Sequence, residues 1–557
     1  MAGAAGSPEK TWSSRTAFIL AAVGSAVGLG NIWKFPYEVG AGGGGAFVLI
    51  YLVFVFAIGL PVMIAELLVG RRGHAAPPIA AETVAAGSQR HKSWAWLGWI
   101  GVIGAFFVLS FYSVIAGFSL SYMVETLTGR LGDLTPEASV KHFTDDIGGS
   151  FAIVFGWHTL FMVLTVFIVA RGIKGGLEQA VTYLMPALFV LLVGMVIYSL
   201  SVGEAGQALR FLFQPRLADL TTDNILQALG QAFFSLSLAL GAIMTYGAYV
   251  PRDYSLPRSA FIIAAADTGV AILAGLAIFP LVFQYGLEAN AGPGLVFITL
   301  PLAFAEMPGG VIVGGAFFLL LSIAALTSAI SLLEPTVSWL EEKRGIARAK
   351  AAVWGGLAIY LVGIGSVMSF NVWSDVTFWR GTVLDNIDFI TNNVMMPLGG
   401  LGIAVFVAWF MNPEAVRSEV TGISDRLYKA WLNLLGFVCP VALAAIFFSV
   451  SGADRLVLRI VDLAGYGVSD DPGERLLHAT IVFIVMIMPS LLAARRRHPQ
   501  LALLAFVNVV AGWQPVGWLF CLVWAHRPDL LIATRRAMGA RADAPQSPGD
   551  EHSGSAG

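Results

Sequence analysis

Charged side chains are scarce in this chain: Asp, Glu, Lys and Arg make up 12% of its 557 residues, against 57% for the hydrophobic set. A water-soluble globular surface cannot be built from so few charges, so the solvent for most of this surface is lipid. Cysteine is scarcer still. Cys439 and Cys521 both sit inside apolar segments, and the eight histidines show no ligand-like spacing with them. Neither a disulfide framework nor a Cys/His metal site is supported. The 33 basic and 35 acidic residues nearly cancel and cluster between apolar runs, not in a stripe, which removes nucleic acid from the expected partners. The segment Met1 to Thr11 lacks a hydrophobic core ending in a small-residue cleavage site, so the first apolar run is expected to be retained as a helix. No nucleophile–base pair stands at span depth, and the chain is not expected to be an enzyme.

Long apolar runs are what the chain has in plenty. They fall at about 14–38, 46–70, 95–127, 151–170, 177–200, 225–250, 258–286, 309–340, 351–370, 383–411, 428–450, 476–494 and 501–525, most of them near the ~20 residues that an apolar helix needs to cross a bilayer. The fold class is therefore an all-α polytopic membrane protein, multi-pass in the cell inner (plasma) membrane. With the N-terminus cytoplasmic, the inner loops collect most of the Lys and Arg, among them Arg71, Arg72, Arg90, Lys92, Arg171, Lys174 and Arg495 to Arg497, as the positive-inside rule requires. One end resists. A last crossing would leave Arg527, Arg535, Arg536 and Arg541 outside, so either that run re-enters or the rule is locally broken. The expected organisation is a membrane body over 1–450 of about 11 helices, an outer loop over 451–475, a two-helix hairpin over 476–526 and a polar, disordered tail over 527–557.

The first run contains Gly24-Ser25-Ala26-Val27-Gly28-Leu29-Gly30-Asn31, where repeated glycine weakens a helix at mid-membrane depth. Close helix packing is one explanation. A second interruption favours another: the sixth run holds Gln231-Ala232-Phe233-Phe234-Ser235-Leu236-Ser237-Leu238-Ala239-Leu240-Gly241, five runs after the first. Paired broken helices at corresponding places in two five-helix halves point to an inverted-repeat carrier with its site between them. Half-helix N-termini present free N–H groups to a carboxylate, and unwound carbonyls and hydroxyls replace the hydration shell of a small hard cation. An amino acid and sodium suit such segments.

The residues Gly24 to Pro36, followed by Gly43-Gly44-Gly45-Ala46-Phe47 and by Gly59-Leu60-Pro61 with Glu66, resemble the neurotransmitter:sodium symporter family in its bacterial amino acid carrier branch. Similar motifs continue to about residue 450. The resemblance implies the 5+5 inverted-repeat sodium symporter fold with helices 1 and 6 unwound, alternating access and two sodium ions. One ion would be held by the carbonyl of Ala26 and the side chains of Asn31, Ser235 and Asp267, with the substrate carboxylate completing its shell. The other would be held by carbonyls of Gly24, Val27 and Ala324 and the hydroxyls of Thr327 and Ser328, three positions on one helix face.

Asp267 carries a further implication. Relatives that need chloride have neutral side chains around this site, and a buried carboxylate supplies the missing charge, so no chloride is expected. The alternative places Asp267 near a helix end at the inner interface, after Arg252, Asp253 and Arg258. Intramembrane acids are more often functional. Glu66 is expected to support the unwound backbone by accepting its hydrogen bonds. Gly28 stands where monoamine carriers of the family have an aspartate, leaving room, with Leu29 and Gly30, for a substrate's own carboxylate. Tyr112 would hydrogen-bond that carboxylate, while carbonyls of Ala26, Phe234 and Ser235 and the hydroxyl of Ser237 take the ammonium. Val108, Phe234, Leu240, Ser328 and Leu332 would wall an apolar side-chain pocket, favouring a small apolar or aromatic amino acid. Ala239 departs from the family, where many relatives have glycine, and would narrow the pocket or stiffen the linker. Lys34 facing Asp388 is the implied outer gate, looser than an arginine pair. Trp12, with a basic neighbour such as Lys10, closing against Glu342 is the implied inner one, although the usual arginine falls on Glu9.

Gly40 to Gly45 satisfies a GxGxxG pattern but follows no strand and lacks a phosphate-loop lysine, so it reads as helix connection and packing. Residues 489–525, with Pro489, Asn508, Gly512-Trp513 and Gly517-Trp518, resemble the small superinfection immunity membrane proteins. They read as an accessory hairpin or two extra anchors. A transporter-like amino acid sensor without flux, and an immunity or scaffold protein acting through the hairpin, remain the alternatives to symport.

Overall fold

The computed structural model describes residues 11–132, 134–451, 472–496, 498, 504–505, 507–508 and 515–526. It divides into two compact units, Met1–Ser451 and Gly452–Gly557. In lipid every backbone N–H and C=O must be satisfied within its own segment, so the Leu-, Val-, Ile-, Phe- and Ala-rich runs of the first unit close on themselves as helices. They are α1 (Arg15–Ala26), α2 (Gly30–Ala41), α3 (Gly45–Gly73), α4 (Lys92–Leu127), α5 (Phe151–Ala170), α6 (Ile173–Val202), α7 (Thr222–Ser235), α8 (Ala242–Ala248), α9 (Leu256–Gln284), α10 (Gly310–Arg344), α11 (Arg348–Met368), α12 (Val383–Phe410) and α13 (Asp425–Ser449). Both interruptions foreseen from composition are present. Helices α1 and α2 meet at a 48° bend, and α7 and α8 are separated by residues 236–241.

Helices α4 and α10 form the centre: their apolar stretches are 72% and 83% buried, against 33% for α5 and α6, which turn most of their surface to lipid. Helix α10 packs on α4, on α1 and on α8, while α9 crosses α1 and α2. The two broken pairs are thereby held between α3, α4, α9 and α10. Small residues set how closely these elements approach. A Cβ on Gly70 would lie 1.9 Å from the Met244 carbonyl, so α3 and α8 touch backbone to backbone there. The glycine run at 40–45 connects α2 and α3, and a Cβ on Gly40 would fall 1.9 Å from the Ala289 carbonyl.

Some of the buried charge is paired with charge of the opposite sign. Arg71, only 2% exposed, bonds the Glu419 carboxylate at 2.7 Å, the Glu419 carbonyl at 2.7 Å and the Tyr254 carbonyl at 2.6 Å. It is thus a clamp inside the protein, in the last turn of α3, and not an exposed loop cation. At the opposite end of the body His142 bridges Glu125 (2.6 Å) and Asp146 (3.3 Å). The Glu125 hydrogen bond, outweighing partial burial, holds the imidazole pKa above its ordinary value. Because the folded pKa lies above the unfolded one, the stabilisation is full below about pH 6.5 and is lost as pH rises through the raised value. Thermal unfolding followed from pH 5.5 to 9 should show a midpoint that falls across that window in wild type and loses this component in His142→Gln.

The second unit contains α14 (Pro472–Arg495) and α15 (Pro515–His526), packed on each other. Trp524 and Ala525 share a small core with Ala493 and Leu504. Asn508 Nδ2 bonds the Met486 carbonyl at 2.6 Å and Ser490 Oγ at 2.9 Å, and Trp518 donates to the Val485 carbonyl at 2.6 Å. Most of the expected outer loop, Gly512-Trp513, the tail from 527 and the gate neighbours Glu9 and Lys10 lie outside the described residues.

Candidate functional site

The break after α1 leaves terminal carbonyls and N–H groups without the partners a continuing helix would supply. Asn31, at the start of α2, turns back over the gap: its Oδ1 accepts the Gly28 N–H at 3.0 Å, and its Nδ2 donates to Asp267 Oδ1 at 2.7 Å, to the Asp267 carbonyl at 3.1 Å and to Ser235 Oγ at 3.1 Å. Ser235, the last residue of α7, donates to Asp267 Oδ2 at 2.5 Å. Asn31, Ser235 and Asp267 are fully buried, so Asp267 stands in the middle of α9 and not at an interfacial helix end. Three of the residues expected around the first ion are brought together, and Ala26 is the last residue of α1. Tyr51 joins them, its hydroxyl 3.1 Å from Ser235 Oγ, although nothing in its apolar run singled it out.

A second set forms where α10 passes the end of α1. Ser328 Oγ lies 3.3, 3.2 and 3.1 Å from the carbonyls of Gly24, Ser25 and Val27. Thr327 Oγ1 is 3.0 Å from the Ala324 carbonyl, and its Cβ is 3.4 Å from where a Cβ on Gly24 would stand. The Ser25 carbonyl was not foreseen here. It also accepts the Ser237 hydroxyl at 2.9 Å, so that hydroxyl faces α1 in this structure. A short polar side chain, itself committed to the backbone, thus ties both unwound segments together.

Between the two sets lies the turn Gly28-Leu29-Gly30. The Leu29 N–H donates to Tyr112 Oη at 3.2 Å, and Gln231 Nε2 holds the Gly30 carbonyl at 2.7 Å. A Cβ on Gly28 would lie 2.4 Å from Ser328 Oγ and 2.8 Å from Tyr112 Oη, so a side chain there would displace one hydroxyl or the other. Helix α4, which carries Val108 and Tyr112, packs against α10, which carries Ser328 and Leu332. Val108, Leu240 and Leu332 are buried, and the Phe234 ring borders Gly30.

The linker from α7 to α8 is bent by backbone and not by composition alone. Ser237, Ala239 and Gly241 take φ of 52°, 62° and 73°, a region that costs an L-residue about 1–2 kcal/mol. Glu66 compensates by accepting the Ala239 N–H at 2.5 Å through Oε1. Ala239→Gly should therefore raise stability by about 0.5–1 kcal/mol, the relief of strain exceeding glycine's entropic cost, read as a higher melting midpoint in detergent.

The gate residues are arranged differently from the pairing implied by resemblance. Lys34 Nζ lies 4.5 Å over the Phe234 ring, while Asp388 accepts from Asn392 at 2.6 Å, so the two are not joined as an ion pair in this state. Trp12 packs edge-on against Tyr246 and Tyr249, with centroids 5.3 and 6.2 Å away. Glu342 accepts the Ala76 N–H at 2.7 Å. The strong ion pair beneath Trp12 is another one: Arg348 grips the fully buried Glu334 with two bonds of 3.0 and 2.5 Å, and Tyr249 donates to the same carboxylate at 3.1 Å. An acid at 334 inside an apolar run was the available signal.

Comparison with known proteins gives the family and the fold. The model described as Sodium:neurotransmitter symporter family matches residues 9–146 and 137–456. The sodium-dependent transporter YhdH of Bacillus subtilis strain 168 is 39% identical over 444 residues, covering 79% of this chain and 97% of the relative. A sodium-dependent transporter of Haemophilus influenzae is 36% identical over 448 residues, with 79% and 98% covered. Among solved structures, the crystal structure of MhsT in complex with L-phenylalanine superposes with a TM-score of 0.74 at 43% identity, covering 79% of this chain and 99% of that one. Residues 486–526 match the model described as Superinfection immunity protein.

Proposed function

Because the chain belongs to the sodium:neurotransmitter symporter family and is a sodium-dependent transporter, we propose that it imports a small apolar or aromatic amino acid by alternating access, with two sodium ions and without chloride. The observation that carries this reading is the buried Asn31–Ser235–Asp267 cluster beside a turn where a side chain at 28 would press on Ser328 and Tyr112. A carboxylate, an amide and a hydroxyl are hard oxygen donors suited to a small cation. The two sets of oxygens described above are the two proposed ion positions: Ala26, Asn31, Ser235 and Asp267 for one, and Gly24, Val27, Ala324, Thr327 and Ser328 for the other. The carboxylate already present at Asp267 removes the need for an anion from solution.

In this reading the substrate carboxylate meets Tyr112 and the N–H groups at Gly28 to Gly30. The ammonium meets carbonyls of the broken helices, and the side chain lies among Val108, Phe234, Leu240 and Leu332. That MhsT is described with L-phenylalanine supports an aromatic or apolar side chain. Lys34 and Asp388 would close the outer path once substrate draws Phe234 inward. Trp12 and the Tyr249–Glu334–Arg348 group would hold the inner path shut.

Uptake of apolar and aromatic amino acids into liposomes under an inward sodium gradient, with chloride and then with gluconate, tests this. Sodium-dependent uptake that survives chloride removal is expected. Uptake that vanishes in gluconate overturns chloride independence, and sodium-dependent binding without flux replaces symport by sensing.

A further inference from the structure

A groove on the lipid-facing side of the body, away from the ion cluster, has no part in the reading above. It runs between α5 and α11, encloses about 500 Å³ and is walled by Met162, Val163, Val166 and Phe167 from one helix and Val353 and Leu357 from the other. Val163, Phe167 and Val353 are more than half exposed. On α5 the lining positions, from Thr159 to Ala170, recur at three- and four-residue intervals and so share one face. Such a stretch rises about 16 Å, close to half of a hydrocarbon core of roughly 30 Å. The 20-residue α5 is long enough to cross the whole core, and the groove occupies only its C-terminal half. Its length is that of one leaflet.

Two cations stand at the end where α5 stops. Arg171 is the C-cap of α5, and its guanidinium lies 4.2 Å over the Phe167 ring that forms part of the wall. Lys350, exposed in the first turn of α11, precedes Val353 and Leu357 by three and seven residues and therefore shares their face. An apolar channel one leaflet long with cations at its surface end has the outline of a single anionic phospholipid. A second copy of the chain fits poorly, because a two-fold contact through this face would set each Arg171 and Lys350 near its own counterpart.

We propose that the α5–α11 groove holds an anionic phospholipid, with an acyl chain along Val163, Phe167 and Val353 and the headgroup phosphate between Arg171 and Lys350. Arg348 ties the same junction from within, donating to the Val169 carbonyl at 3.1 Å while it grips Glu334. A phosphate spanning Arg171 and Lys350 braces the start of α11 against the end of α5, and through Arg348 the inner end of α10.

Native mass spectrometry of the full chain, with phosphatidylglycerol and phosphatidylcholine offered at equal concentration, tests the proposal. Wild type should retain one phosphatidylglycerol in preference to phosphatidylcholine. Arg171→Gln with Lys350→Gln should lose about 25-fold of that preference, roughly fivefold per cation, and Arg171→Lys with Lys350→Arg should restore it at an unchanged melting midpoint. Val163→Trp, which fills the groove, should weaken both lipids. Equal retention of the two lipids by wild type, undiminished preference in the double Gln variant, displacement by inorganic phosphate alone, or a dimer in place of the lipid would each overturn it.

Discussion

Asp267→Asn is expected to lower sodium-driven uptake in chloride-free medium by about 100-fold while the protein still folds. Asparagine keeps the volume of the side chain and one acceptor oxygen, so the packing of α9 against α1 and α2 is preserved. What is lost is the formal charge and one acceptor. Asp267 Oδ1 receives the Asn31 amide at 2.7 Å and Oδ2 receives the Ser235 hydroxyl at 2.5 Å. With an amide in place, one of those two donors meets another donor. Hydrogen bonds to a charged group are worth ~1.5–3 kcal/mol each, and attraction between a carboxylate and a nearby cation adds about the same again in a partly screened interior. A net loss near ~3 kcal/mol gives the hundredfold fall. The sodium concentration for half-maximal uptake should rise, and added chloride should return part of the rate if the carboxylate is the resident charge of the site. An unchanged sodium dependence would remove Asp267 from the ion shell.

The two helix breaks were readable because glycine and hydroxyl residues at mid-membrane depth contradict a continuous apolar helix, and their spacing by five runs supplied the symmetry. The membrane body was readable for the same reason that it forms: lipid tolerates only closed backbone. The details of the site depended on contacts between distant segments. Tyr51 lies in an ordinary apolar run and acquires meaning only because α3 delivers its hydroxyl to Ser235, 184 residues away. Ala239 carries no sign of a left-handed backbone. Its φ of 62° is held by Glu66 from another helix, and residue type alone would have chosen glycine there. Lys34 and Asp388 show the limit from the other side. Resemblance pairs the two charges, but Lys34 lies over the Phe234 ring and Asp388 accepts from Asn392. Which partner wins depends on side-chain direction and on the state of the transporter. Glu334, inside one apolar run, and Arg348, just before the next, were not singled out from sequence, because their bidentate pairing requires the turn between α10 and α11, which spacing does not determine.

Gly28→Ala is the other substitution with a large expected effect: the half-saturating concentration of substrate should rise by about 100-fold, or uptake should be lost, at nearly normal stability. The backbone at 28 is not in the left-handed region, so alanine is not refused by φ. The difficulty is steric and local. The added methyl would lie 2.4 Å from Ser328 Oγ and 2.8 Å from Tyr112 Oη, and overpacking of this kind costs about 1–3 kcal/mol. Ser328 has three carbonyls within reach and can turn from one to another, which spares the fold. Tyr112 has less freedom, because its hydroxyl is committed to the Leu29 N–H, and moving it disturbs the donors proposed for the substrate carboxylate. Gly30→Ala provides the comparison. Its methyl would press on the edge of the Phe234 ring at 3.1 and 3.2 Å and make ordinary contact with the Ser235 Cα at 3.5 Å; a small ring rotation relieves the close contact, so a change of about tenfold or less is expected. Concentration dependence of uptake, measured for both variants beside their melting midpoints, separates the cases. Equal effects at 28 and 30 would mean that the whole turn is merely sensitive to bulk, whereas a large effect confined to 28 places the substrate carboxylate between Tyr112 and the N–H groups of the broken first helix.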